Sequence, residues 1–293
     1  MRILLLGKHG QLGWELHRTL QPLGEVIAVD YPEIDLTSPD SIRLTVQKTQ
    51  PKIIINAAAY TDVDRAESEP EIAMAVNGIA PGLLAEQAQA LCAGLIHYST
   101  DYVFDGKKGS PYVETDKPNP INVYGRTKLE GERSVSQVNG SYLIFRTSWV
   151  YSLRGESFVT KVLSWALEQE TLRIVEDQIG SPTWARMLAE ITAQLLVKGG
   201  DEPLHFKEDK KGIFHLAGSG TASRLDWVRA ILQYDPHQEN QMTRRILPAK
   251  SKDFPDTTKR PPFSALNCNR FFDLFDLRLP EWKNTLRLAL DSA

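Results

Sequence analysis

Residues Arg2–Leu6 form a near-continuous apolar run that stops at Gly7, as expected of a strand buried on both faces. Four further runs share that character, at residues 25–30, 52–56, 94–98 and 141–147. Between them the apolar positions fall at helical spacing, over residues 14–21, 39–49 and 71–90. Another helix is expected from Pro120, which suits a first turn, to Arg133. Strands alternating with helices predict an α/β fold around a doubly wound parallel sheet, and such sheets bind ligands beyond the carboxyl ends of their strands. The second half is less regular, with a short strand and glycine turn over 212–218 and a helix over 223–232. The highly charged residues 201–211 read as an exposed insertion or hairpin. No internal repeat, low-complexity linker or clean domain boundary interrupts the chain.

The first strand runs into Gly7-Lys-His-Gly10-Gln11-Leu12-Gly13 and then into a helix. With 19 glycines in 293 residues, about 0.08 such triplets arise by chance, and the flanking strand and helix are the context this loop requires. Glycines permit the tight turn and let the backbone approach a pyrophosphate, whose charge faces a helix N-terminus. The second strand ends in Asp30, a position from which a carboxylate hydrogen-bonds an adenosine ribose and repels a 2′-phosphate. That leans towards NADH over NADPH, against the plainer reading of a solvated aspartate. After the third strand, Ala57, Ala58 and Ala59, followed by Tyr60, are small enough to let a flat cofactor lie on the backbone; close helix packing would also use alanines. Residues 1–150 would thus supply most of a dinucleotide fold, and 151–293 mainly a substrate-binding lobe with some segments returning to the sheet.

Tyr124 and Lys128 stand four apart on the helix predicted from Pro120, so they share a face. A phenol titrates near pH ~10, and an ammonium beside it favours the phenolate, which suits a general acid for a carbonyl oxygen. Alone, the pair reads equally as a surface helix with an amphipathic tyrosine. Thr100 ends the fourth strand, where its hydroxyl can donate to the same oxygen. Trp149, just after the fifth strand, stacks on a ring or belongs to the core. Arg244, Arg245, Lys250, Lys252, Lys259 and Arg260 lie in an irregular stretch that can bind a diphosphate, or form a solvated basic loop.

Composition narrows the field. Charged residues are 24% and hydrophobic ones 42%, the profile of a soluble globular enzyme or binding protein. A net charge of -3 gives no basic footprint for nucleic acid. Cys92 and Cys268 are too far apart in sequence for a CxxC zinc site or a disulfide framework, and read as reduced thiols. The six histidines, His9, His17, His97, His205, His215 and His237, show no clustered spacing, so no metal catalyst is expected. The first residues are too short an apolar run for a signal peptide or membrane span. The chain therefore reads as cytoplasmic, complete from its first residue and without a membrane partner.

The GxxGxxG loop resembles that of the extended short-chain dehydrogenase/reductase superfamily. A closer resemblance, to the dTDP-4-dehydrorhamnose reductase family, is carried by the segments that begin at Gly7, at Asn56 (Asn-Ala-Ala-Ala-Tyr-Thr-Asp-Val-Asp64), at Ser99 (Ser-Thr-Asp-Tyr-Val-Phe-Asp-Gly106), at Tyr124 (Tyr-Gly-Arg-Thr-Lys128, with Glu130 and Glu132) and at Arg146 (Arg-Thr-Ser-Trp-Val-Tyr151). The resemblance implies a Rossmann-type sheet with a smaller C-terminal lobe, and reduction by NADH or NADPH of the 4-keto group of a dTDP-4-keto-6-deoxyhexose. It implies Thr100, Tyr124 and Lys128 as catalytic, and Gly7, Gly10, Gln11, Leu12, Gly13, Asp30, Asp35 and Leu36 at the dinucleotide. Asp101, Trp149 and Arg260 would meet the substrate, and Asn77 would support the site. Trp184 stands where the family usually has a smaller or tyrosine-like residue, and would narrow the pocket. The resemblance also allows a homodimer, with Mg²⁺ between subunits held by glutamates such as Glu15 or Glu281. Rival readings are an epimerase or reductase of another nucleotide sugar, and a dinucleotide-binding regulatory subunit resembling that of methionine adenosyltransferase.

Overall fold

The apolar runs become strands because they have no face to give to water. In the computed structural model, which describes residues 1–200, 210–254 and 258–291, the first half reads β1 (Arg2–Leu6), α1 (Gln11–Thr19), β2 (Glu25–Val29), α2 (Pro39–Thr49), β3 (Ile53–Asn56), α3 (Val63–Ser68), α4 (Pro70–Met74), α5 (Ala80–Ala90), β4 (Gly94–Thr100), α6 (Val123–Gln137) and β5 (Ser141–Thr147). There follow β6 (Val150–Tyr151), α7 (Phe158–Glu168), β7 (Thr171–Val175), β8 (Ile179–Gly180), β9 (Thr183–Trp184), α8 (Ala185–Lys198), β10 (Gly212–His215), β11 (Ala222–Ser223), α9 (Arg224–Tyr234), β12 (Arg245–Ala249), α10 (Asn269–Phe275) and α11 (Trp282–Asp291). Most of the insertion expected at 201–211 lies outside the described residues.

Six strands pair in parallel in the order β2-β1-β3-β4-β5-β10. The period of two along each strand sends Ile3, Leu5, Ile53 and Ile55 to one face, where they pack with α1, α8 and α10. Leu4, Leu6 and Ile54 go to the other, under α2 and α5. This is the Rossmann-type doubly wound architecture, and strand order reverses between β1 and β3. The crevice expected of such sheets therefore opens between the loops that follow those two strands. Chain from the second half completes the sheet and its cover, since β10 borders β5 and α8 packs on α1. A separate core that includes Tyr151, Val162, Trp184, Trp227 and Leu286 holds the lobe. Trp184 belongs to that core, so it does not narrow the pocket as expected from the resemblance.

Two helices differ from the sequence pattern. The helix expected over 71–90 is split by a π turn at Ala75–Ile79. Asn77 in that turn is buried; its Oδ1 accepts the Tyr60 N–H at 2.9 Å, and its Nδ2 donates to the Tyr60 carbonyl at 3.0 Å and to Thr127 Oγ1 at 3.2 Å. Apolar spacing cannot register a single extra residue placed by such side-chain bonds. Helix α6 starts after Pro120, at Val123, because Asn122 Oδ1 caps it by accepting the Gly125 N–H at 2.8 Å.

Helix α6 is fastened to the sheet by charge. Arg146 of β5 donates to Glu132 from Nε at 2.8 Å and from Nη2 at 2.6 Å, and Ser99 of β4 adds a hydroxyl at 2.5 Å. Both ions are almost wholly buried, so this fork must be kept whole to offset its desolvation. Among the described residues no helix is long and apolar enough to cross a membrane. Glu132→Gln, which leaves Arg146 unpaired in the core, is expected to cost about 3–5 kcal/mol. Denaturant unfolding of the variant measures this, and a loss below about 1 kcal/mol would show that the pair does not hold α6.

Candidate active site

The carboxyl edge of the sheet carries a cavity of about 920 Å³. Its walls bring together Asp30, Tyr31, Asp35 and Leu36 after β2, Gly7, Gly10, Gln11 and Leu12 after β1, Ala57, Ala58 and Ala59 after β3, and Thr100, Asp101, Tyr124, Lys128 and Trp149 beyond β4 and β5. The glycine loop works as its spacing implies. Gly7 adopts a φ of 86°, and a Cβ there would stand 2.7 Å from the Ala58 nitrogen. Gly13 has a different job from the one expected, because its Cα lies against the Gly7 carbonyl, where a Cβ would come within 1.8 Å. It seats α1 on the loop and does not line the cavity.

These residues fit a dinucleotide. No side chain caps α1, and its first turn holds no acid, so its N-terminus is open to a pyrophosphate. Gln11, in the wall, leaves its buried Oε1 without a partner. Asp30 accepts backbone N–H groups from His9 at 3.1 Å and Tyr31 at 3.0 Å, and a carboxylate so placed still has lone pairs for a ribose hydroxyl. Tyr60 corrects an expectation: its hydroxyl turns to Glu69 at 2.7 Å and it does not line the cavity. Arg154, which reaches the wall from beyond β6 with its guanidinium 4.4 Å from the Trp14 ring centroid, was not anticipated. Its place in a loop after a strand was the available signal.

At the other end burial governs the chemistry. The Tyr124 phenol is pushed well above its ordinary range by burial, which a hydrogen-bond contact with Thr100 opposes. Lys128 does not produce the expected lowering. Its own ammonium is brought down to about 8 by burial, with the Glu132 carboxylate opposing. Lys128 Nζ is tied to the Tyr98 carbonyl at 2.6 Å. Thr100 gives its single hydroxyl proton to Asp101 Oδ1 at 3.1 Å and accepts the Tyr102 N–H at 3.1 Å. It must rotate before it can donate to a substrate oxygen.

Asp101 is 2% exposed, and besides Thr100 it takes hydroxyls from Ser264 at 2.5 Å and Ser148 at 2.9 Å. Burial raises its carboxyl to about 6 against the pull of those hydroxyls and of Arg224. Trp149, held at a φ of 45°, stacks on Trp227 with centroids 5.4 Å apart. The Arg224 guanidinium lies 3.7 Å from the Trp149 ring centroid. No local pattern marks Arg224, because its place depends on how α9 packs against that tryptophan.

The basic stretch does not converge as expected. Arg244 is exposed, Arg245 opens the strand β12 that pairs with β7, and Lys250 pairs with Glu176 at 2.8 Å. Arg260 alone comes towards the site, pairing with Asp64 at 2.9 Å, and both it and Arg224 act electrostatically on the Tyr102 phenol. Magnesium finds no support: among the described residues no group of three or more His, Cys, Asp or Glu side chains assembles to hold a metal. Glu15 stands among Arg186, Arg18 and Arg154 as well as Glu190.

A family model described as RmlD substrate binding domain matches residues 1–293. The dTDP-4-dehydrorhamnose reductase of Escherichia coli (strain K12) is 41% identical over 296 residues, covering 99% of this chain and 97% of that protein. That of Burkholderia thailandensis is 39% identical over 293 residues, covering 99% and 98%. Among solved structures, a dTDP-4-dehydrorhamnose reductase from Bacillus anthracis str. Ames in complex with NADP is similar with a TM-score of 0.89 at 32% identity, covering 100% of this chain and 99% of that one.

An aspartate whose carboxyl rises on folding binds its proton more readily folded than unfolded. The stability this contributes is full below the usual 3.8 and is lost as the pH climbs through about 6. Measured against Asp101→Asn, the natural chain should gain up to roughly 3 kcal/mol in relative stability as the pH is lowered from about 7 to about 4. Denaturant unfolding of both proteins at the two pH values measures it, and a difference independent of pH would show that Asp101 is not titrating in a buried site.

Proposed function

The chain belongs to the family of the RmlD substrate binding domain, and on that premise we propose that it is an NAD(P)H-dependent reductase of the 4-keto group of dTDP-4-dehydro-L-rhamnose. The product would be dTDP-L-rhamnose, a precursor of cell-surface polysaccharide. The observation that carries this reading is the meeting of Thr100, Tyr124 and Lys128 in one wall of the cavity whose opposite end holds the glycine loop and Asp30. The relatives named dTDP-4-dehydrorhamnose reductase support the same reading over the full chain.

When bound, the reduced nicotinamide supplies the hydride. Tyr124, kept protonated by burial, holds the proton for the carbonyl oxygen. Thr100 turns its hydroxyl from Asp101 to that oxygen and polarises it. Lys128 hydrogen-bonds the nicotinamide ribose from one turn beyond Tyr124 on α6. Asp101 and Trp149 meet the sugar, and Arg260 with Arg224 offers the diphosphate two guanidiniums. Residues 1–150 serve the dinucleotide and 151–293 mainly the substrate, in the cytoplasm. Asp30 favours NADH, whereas the Bacillus anthracis relative holds NADP, so both cofactors belong in the assay.

The test follows NADH and NADPH oxidation by absorbance with enzymatically made dTDP-4-dehydrorhamnose and with its UDP-linked counterpart. Oxidation with the dTDP sugar alone is expected. Dinucleotide binding without NADH or NADPH oxidation in the presence of either sugar would overturn the enzyme reading and favour a regulatory subunit. Tyr124→Phe should lower kcat by at least about 10³-fold with little change in cofactor affinity, and a variant that keeps the natural rate would remove Tyr124 from the chemistry.

A further inference from the structure

Beneath the site lies a line of buried polar groups that the proposed mechanism leaves unexplained. Asn56 and His97 stand side by side because β3 and β4 pair in that register, and neither is exposed at all. Asn56 Oδ1 accepts the backbone N–H of Ala58 at 3.1 Å. This fixes the amide, since turning it over would set its NH₂ against the Ala58 N–H. The atom that faces His97 Nδ1 at 3.1 Å is then Nδ2, which can only donate. Nδ1 must therefore accept, and the one proton of a neutral imidazole sits on Nε2. A doubly protonated ring would point N–H at N–H, and burial already opposes that charge.

His97 Nε2 lies 3.3 Å from Lys128 Nζ, which donates to the Tyr98 carbonyl. An ammonium has three N–H bonds and no lone pair, so it meets the Nε2–H donor against donor. A neutral amine has the lone pair to accept it. The polarity set by one backbone N–H thus ends by favouring the uncharged lysine.

We propose that His97 is a positioning residue that sets the protonation of Lys128, because Asn56 and Ala58 hold its proton on Nε2 and direct that donor at the amine. The inference rests on the reading of Tyr124 and Lys128 as the proton-handling pair. Because Ala58 also lines the cavity, the line of donors runs from the groove wall to the lysine. The other titratable or charged groups around Lys128 are Tyr124 one turn back on α6, Glu132 one turn on with its partner Arg146 of β5, and Asp101 beyond the end of β4. Burial acts on Lys128 in the same direction as His97, and Glu132 opposes both. With its acidity near neutrality, Lys128 can give a proton to the Tyr124 phenolate left after product forms, becoming the amine, and recover one from solvent.

The first test is NMR of the full chain with ¹⁵N-labelled histidine, the His97 signals being assigned by their loss in His97→Gln. The expected result is a neutral ring protonated on Nε2 on both sides of the Lys128 transition. A proton on Nδ1, or a charged ring, overturns the proposal. This readout needs no sugar substrate, so it stands or falls apart from the assigned reaction. The second test is the pH profile of kcat/KM. His97→Phe removes the donor, and should move the alkaline limb to higher pH by an amount that raises relative activity about ten-fold there. His97→Gln, which retains a donor for the lysine, should restore the natural profile. An unmoved limb in His97→Phe, or a limb moved equally by both variants, overturns the proposal.

Discussion

Two buried charges hold the site in place. The fork of Arg146 on Glu132, with Ser99 as a third partner, joins α6 to the two strands that end at Thr100 and Thr147. The groups proposed to handle a proton depend on that junction, because Tyr124 and Lys128 are carried by α6 and their counterparts by β4. An apolar contact would give adhesion without a fixed register along the helix. A bidentate pair sets both the distance and the rotation of the helix against the sheet. The same low-dielectric surroundings then act on every ionisable group nearby.

One physical effect, desolvation, explains most of the site electrostatics, and its sign depends on the group. It raises the Tyr124 phenol and the Asp101 carboxyl and lowers the Lys128 ammonium. The result is a protonated acid, a carboxyl that titrates near 6 and a lysine that titrates near 8, all on one wall. The hydroxyls of Thr100, Ser148 and Ser264 keep Asp101 from rising further. The sheet gives this wall its address: the reversal of strand order between β1 and β3 leaves a crevice at the carboxyl edge, and the glycine loop and Ala57–Ala59 line it.

Much of this was legible in the sequence, for reasons that can be named. A strand buried on both faces is written as an unbroken apolar run, so β1, β3 and β4 are plain in the chain. A glycine loop between strand and helix is legible because few other arrangements need glycine at those three places. Gly13, however, serves helix packing, which its spacing does not distinguish from ligand contact. The π turn at Asn77 and the late start of α6 were hidden because both are set by side-chain hydrogen bonds, while periodicity reports only burial. Arg224 was missed because tertiary packing alone brings it to the site, whereas Arg154 and Ser148 carried only the signal of a position just after a strand. The basic residues 244–252 misled for the opposite reason, since charge proximity in sequence carries no direction in space.

The most direct test of the whole arrangement is the fate of the hydride. The reaction is run with NADH or NADPH deuterated at nicotinamide C4, and the nucleotide sugar is then examined by mass spectrometry and NMR. The proposed roles of Thr100 and Tyr124 at the carbonyl oxygen predict a single deuterium at sugar C4, with the proton on the new hydroxyl drawn from the protein and solvent. A product whose C4 hydrogen comes from solvent, with the label retained on the cofactor, would contradict it.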